Sequence, residues 1–200
     1  MELIKKNFYT SLLMVMLITF SSNLRAQEDD DYGDDGQEQL VDQDQKAELV
    51  NDAKDSKAAF IQNNPNVAEL FDNAAGYVIF PNVGKGAYIL GGAAGNGVLF
   101  ENGQVQGFAE LRQIDVGLQI GGQAYRQAII FQTQGELNKF KEGNYSLSGN
   151  ASAVIVEKGK AKNVEFNNGR AILTMPKAGA MVEISVGGQK FEYADTSGNF

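Results

Sequence analysis

The chain has 200 residues, no Cys, no His and no Trp, and a formal net charge of −8. These absences exclude disulfides, thiol nucleophiles, Ser-His or Cys-His catalytic sets and metal sites of the His/Cys type. The length suits one domain with appendages. The charge is uneven: residues 27–48 hold ten acids and one lysine, whereas residues 49–200 hold 14 acids and 13 bases, a net of −1. The acidity belongs to a tail, and no basic cluster marks a nucleic-acid footprint.

Residues 1–26 read as a secretory signal. Lys5 and Lys6 give a positive start, and Ser11–Phe20 is an apolar core too short to span a bilayer comfortably. Ala26 suits cleavage, which points to a periplasmic or secreted protein; an uncleaved N-terminal anchor is the alternative. Residues 27–45 are acidic and poor in apolar side chains, so a disordered tail is expected. Its aspartates do not follow the spacing of an EF-hand loop, and no metal is expected.

Residues 46–196 read as the domain proper. From Lys46 to Gln62 the pattern is helical, with Leu49, Val50, Ala53, Phe60 and Ile61 near one face. Such a helix can lie on a membrane or cap a sheet. Lys46, Lys54 and Lys57 are balanced by Glu48, Asp52 and Asp55, which favours the cap, since surface-lying helices carry a basic polar face. Lys54 and Phe60 are the contact candidates if the helix meets lipid. Asn64 and Pro65 suit the start of a second helix carrying Val67, Leu70, Phe71 and Ala74, with Gly76 as its closing residue.

The stretch from Ala74 to Phe131 organises the rest. Twelve of its 58 residues are glycine, set between short apolar runs. Ile114, Val116, Leu118 and Ile120 alternate with Asp115, Gly117, Gln119 and Gly121, the period of a half-buried strand. Glu101-Asn-Gly-Gln104 carries the Asn-Gly signal of a two-residue hairpin. Strands are expected near 77–80, 86–91, 96–101, 104–111, 114–121 and 124–132. A short helix follows at 134–142 with Leu137 and Phe140 on one side. Further strands are expected at 145–147, 151–157, 162–166, 171–175, 180–186 and 190–194, with turns at Lys158-Gly159, Asn167-Asn-Gly169 and Gly187-Gly188. The fold class is α+β: N-terminal helices on a glycine-rich, strongly bent antiparallel sheet, with closure into a barrel as one outcome.

Little of this supports catalysis or cofactor binding. Gly92-Ala-Ala-Gly95-Asn-Gly97 does not match the dinucleotide fingerprint, and an apolar strand follows it rather than a helix. Glu110 and Asp115 could form a carboxylate pair of the glycoside-hydrolase kind, but both read more simply as solvent-facing residues near a strand connection. No enzyme activity and no cofactor are expected.

The run Gly76-Tyr-Val-Ile-Phe-Pro-Asn-Val-Gly-Lys-Gly-Ala-Tyr-Ile-Leu-Gly-Gly-Ala-Ala-Gly-Asn-Gly-Val98 resembles the core motif of the SYLF lipid-binding domain family. Val116–Gly122, Ala128–Phe131, Leu137–Phe140 and Leu147–Ala153 continue the resemblance in order, over roughly Leu49 to Tyr193. It implies a non-enzymatic lipid-binding or membrane-surface protein. It also makes Lys85 and Tyr88 candidate lipid contacts, a lysine standing before a small-aromatic pair in that family's pattern. Two departures bear on this. The first helix lacks the basic character that some eukaryotic members use for phosphoinositides, and Gln104–Phe108 stands where many relatives carry a tryptophan strand. An envelope protein-interaction module and a carrier of a small apolar ligand remain alternatives. The sequence leaves the oligomeric state open.

Overall fold

The computed structural model describes residues 35–84, 92–114, 124–158, 160, 163–177 and 186–196. The chain divides into two compact units, Met1–Gln39 and Leu40–Phe200. The signal segment, tail residues 27–34, the expected strand at 86–91 and most of those at 114–121 and 180–186 lie outside the described residues.

Helix α1 spans Asp35–Asn63 and so begins well before Lys46, taking in residues 35–45 that composition assigns to the tail. Ala53, Ser56 and Phe60 are its buried positions, at the three- and four-residue spacing that puts side chains on one helical face. Asn64 ends α1 and opens a 3-10 turn, Pro65–Val67, its side chain accepting from the Asn66 N–H at 3.2 Å. Helix α2 is a single short turn, Ala68–Asp72, closed by Asn73. Gly76 therefore does not close this helix. It opens strand β1, Gly76–Val83. A Cβ there would stand 2.8 Å from Leu137 Cδ2 and 2.9 Å from the Phe100 carbonyl oxygen, so a close approach, not a cap, requires the glycine.

The remaining strands are β2, Gly92–Glu101; β3, Gln104–Ile114; β4, Tyr125–Phe131; β5, Tyr145–Ser146; β6, Val154–Ile155; β7, Arg170–Pro176; and β8, Gln189–Asp195. Helix α3, Gln134–Lys141, falls between β4 and β5. Thr133 caps it by accepting the Glu136 N–H at 3.4 Å, and Leu137 and Phe140 are buried as the spacing predicts. Residues 163–166, expected to be a strand, run without regular structure.

One eight-stranded sheet results, in the order β5-β8-β3-β2-β1-β4-β7-β6. Every neighbouring pair is antiparallel except β6 with β7. The ladder ends at β5 and β6, two residues each, so among the described residues the sheet is open rather than a closed barrel. Asn102 (φ 52°) and Gly103 (φ 76°) form the β2–β3 turn, with Glu101 opposite Gln104, as the Asn-Gly pair demands. Pro81 sits where the β1–β4 register shifts between Phe80 and Val83, a place where a residue without an N–H donor is tolerated.

β1 lies inside the sheet and is buried on both faces, which is why Tyr77-Val-Ile-Phe80 reads as a continuous apolar run. Alternate residues feed two cores. On one face Tyr77, Ile79, Val98, Phe100, Ala128, Ile130 and Leu173 pack with Phe60, Val67 and Phe71 of the N-terminal helices. On the other, Val78, Phe80, Leu99, Leu111, Ile129, Phe131 and Phe191 pack with Leu137 and Phe140 of α3. The helix that could have lain on a membrane thus caps the sheet.

The second face is concave. Phe80 on β1 and Phe191 on β8 have ring centroids 5.6 Å apart although two strands separate them in the sheet. Gln127 on β4 and Gln189 on β8 are both fully buried and exchange amides: Gln127 Nε2 donates to Gln189 Oε1 at 2.7 Å, and Gln189 Nε2 donates to Gln127 Oε1 at 3.0 Å. On a flat sheet, strands four steps apart would lie about 19 Å from one another. Only a strong curl brings these side chains into contact. Gln113 Oε1 and the Tyr125 hydroxyl also lie within reach of Gln189 Nε2, at 3.0 and 3.2 Å.

Candidate functional site

Of the four residues named from sequence, Lys85 and Tyr88 lie outside the described residues. Lys54 is exposed on α1, while Phe60 is fully buried in the core between α1 and the sheet. The structure does not bring these two together: Lys54 faces solvent and Phe60 the sheet. The lysine that α1 sets against aromatics is Lys57. Its Nζ lies 5.1 Å from the Phe71 ring centroid and 4.7 Å from that of Tyr77, and donates to the Tyr77 hydroxyl at 3.2 Å. Its cation is held by the fold itself, tying α1 to β1.

Among the described residues, aromatic side chains fill part of the interior of the curl. Phe131, Phe140, Tyr145 and Phe191 pack ring against ring, with neighbouring centroids 5.3–6.1 Å apart. The glutamine amides occupy the same concave face beyond them.

Two recesses among the described residues border α1 or the strands β2, β3 and β8. One, about 380 Å³, is lined by Gln45, Lys46, Glu48, Leu49 and Asp52 of α1 and by Asn96 and Phe108 of the sheet. Lys46 Nζ stands 5.5 Å over the Phe108 ring. The second, about 610 Å³, is bordered by Glu110, Arg112, Lys190 and Glu192 together with Ala93, Gln113 and Gly188. Asn96 lines the first recess and is the register partner of Glu110, which lines the second. The two form one groove along the helix face.

Strand alternation builds the charged part of this groove. Leu111 points into the concave core, so Glu110 and Arg112 point to the helix face. In the β3–β8 ladder Glu110 stands opposite Glu192 and Arg112 opposite Lys190. Along β3, Arg112 Nε donates to Glu110 Oε1 at 2.7 Å and Nη2 to Oε2 at 3.1 Å. This forked bond and the Glu110 charge, with a further contribution from Glu192, hold the Arg112 guanidinium above its already high ordinary pKa. Lys190 and Glu192 form no ion pair among the described residues. Glu110 is thus engaged by an arginine, and its candidate partner Asp115 lies outside the described residues. No group of His, Cys, Asp and Glu among the described residues could hold a metal ion.

Sequence reasoning had singled out Glu110 but not Arg112, Lys190 or Glu192. The β3–β8 pairing that assembles them joins segments some 80 residues apart, and no local signal announces it.

The domain is thus α+β, built on a curled, largely antiparallel sheet that is open among the described residues. Residues 112–198 match the family model Ysc84, described as Las17-binding protein actin regulator. This is the SYLF family that the motifs resemble, and the match covers less than half of the chain. No curated protein matches the chain.

Proposed function

We propose that the protein is a non-enzymatic module of the cell envelope that associates with lipid at a membrane surface. The matched family is one of binding domains. The observation that carries the lipid reading is the groove beside α1: an aromatic floor at Phe108, rimmed by charges of both signs, in a domain of nearly zero net charge. A surface of that kind suits a headgroup and the first carbons of a chain, held by local contacts rather than by a general attraction to anionic membrane. The secretory-like start, Lys5 and Lys6 followed by Ser11–Phe20, supports a site of action outside the cytoplasm, in the periplasm or the external medium.

A second reading rests on the family's printed description, which names a protein partner: the same groove would then receive an envelope protein. Co-sedimentation of the purified protein with vesicles of total host envelope lipid, at low and moderate salt, separates the two. The lipid reading expects saturable binding that weakens as salt rises, because exposed charges carry it. Failure to bind at either salt would transfer the groove to a protein partner.

A further inference from the structure

The charges on the exposed face of β3 and β8 are arranged in rows. Glu110 and Glu192 form an acidic row, and Arg112 and Lys190 a basic row one pleat further along. Strand geometry sets the rows about 7 Å apart, two residues' rise. Like charges directly opposite each other destabilise a sheet, and exchanging Lys190 with Glu192 would put opposite charges in register across the two strands. The observed arrangement separates the signs along the strands and gives the face a dipole. The recess above it, about 610 Å³, is bordered by all four side chains. The Glu110–Arg112 bond uses Nε and Nη2 and leaves Nη1 for another acceptor.

We infer that this face receives a zwitterionic phosphoethanolamine headgroup at a lipid surface, its phosphate on Arg112 and Lys190 and its ammonium on Glu110 and Glu192. The inference rests on the lipid reading above and names the lipid class. Charge complementarity selects the occupant. An anionic headgroup meets two carboxylates beside two cations and gains little. A phosphate with a tethered cation satisfies both rows at once. Arg112 can meet a phosphate oxygen through Nη1, which the Glu110 bond leaves open, and Lys190 can do so as a point charge. The acidic row adds discrimination between zwitterions: a primary ammonium offers three N–H donors to carboxylates, whereas the quaternary nitrogen of choline offers none.

The test uses the full chain and three vesicle compositions: phosphatidylcholine alone, and phosphatidylcholine with an equal part of phosphatidylethanolamine or of phosphatidylglycerol. Binding is expected to be about tenfold stronger on the phosphatidylethanolamine vesicles, the size of one or two charge-assisted hydrogen bonds. The double variant Arg112→Glu, Lys190→Glu should lose that advantage. The reverse double variant, Glu110→Lys with Glu192→Lys, should lose it too and move its preference to phosphatidylglycerol. Arg112→Lys with Lys190→Arg keeps the signs and should keep the order of preference, which shows that the other variants act through charge and not through misfolding. Equal binding to all three compositions, or wild-type preference for phosphatidylglycerol, overturns the headgroup assignment while membrane association stands. Binding to none of them removes membrane association itself, and this inference with it.

Discussion

Replacing Gln127 with leucine tests whether the amide exchange between β4 and β8 holds the curl. Gln127 is the sole donor to Gln189 Oε1 among the described residues. Without it that carbonyl stays buried and unpaired, at a cost of about 1–3 kcal/mol. Gln189 Nε2 is less affected, because Gln113 Oε1 and the Tyr125 hydroxyl remain at 3.0 and 3.2 Å for its two hydrogens. Leucine fills a similar volume and returns part of the loss through apolar burial, so the net destabilisation should be about 1–2 kcal/mol. Urea unfolding followed by circular dichroism measures it as a shift in midpoint at constant slope. The decisive quantity is the cycle with Gln189→Leu. The double variant removes the orphaned carbonyl along with its donor, so its loss should fall short of the sum of the single losses by about 1 kcal/mol, within the usual range for contacting residues. An additive cycle, or a Gln127→Leu midpoint equal to wild type, would mean that these amides do not meet and that the curl has another origin.

Three further outcomes follow from geometry. A Cβ at Gly107 would stand 2.2 Å from the Ala194 carbonyl oxygen, whereas one at Gly103 meets nothing but must accept φ +76°. Gly103→Ala should therefore cost about 1 kcal/mol and Gly107→Ala clearly more, by disrupting the β3–β8 ladder; thermal melts showing the reverse order would refute this. Phe60→Ala should cost about 3–5 kcal/mol, as for other buried aromatics, while Lys54→Glu stays within about 0.5 kcal/mol, so a binding defect in the former must be read against its urea midpoint. The Glu101 carboxyl, bonded to Lys141 and Gln134, is held below its ordinary pKa, chiefly by the Lys141 contact. A depressed carboxyl contributes stability above its unfolded pKa and loses it as pH falls through the folded one. Glu101→Gln should thus cost no more than about 1 kcal/mol at neutral pH, since both side chains keep some contact with solvent, and nothing in acid; a stability gap between the two proteins that stays constant from pH 7 down to strongly acidic solution would contradict the ion pair.

Much of the local structure was legible in the sequence because its causes are local. Asn102-Gly103 sets its own turn, Thr133 and the Leu137–Phe140 spacing announce α3, and Asn64-Pro65 punctuates the end of α1. What escaped depends on residues that are distant in the chain. Gly76 suits a helix terminus by position, yet it is glycine because Leu137 and the Phe100 carbonyl crowd it. Gln127 reads as the polar member of an alternating strand, but its partner lies 62 residues away and the curl buries both. The rows of the groove are equally non-local. Arg112 and Lys190 are ordinary surface residues until β8 returns to pair with β3. Phe60 was read on the apolar side of the first helix, and the sheet beneath that helix decides what it touches.

The margins of this sheet have a bearing on how the protein lives at high concentration. Its outermost strands, Tyr145–Ser146 and Val154–Ile155, are two residues long. Each pairs with only two positions of the seven-residue strand beside it, so among the described residues much of the outer edge of β8 and of β7 keeps peptide groups that no strand covers, the kind of edge on which another chain can dock. The apolar runs at the centre of the sheet, which as free segments would invite fibril growth, are paired on both sides, so the exposure to such growth falls on β7 and β8.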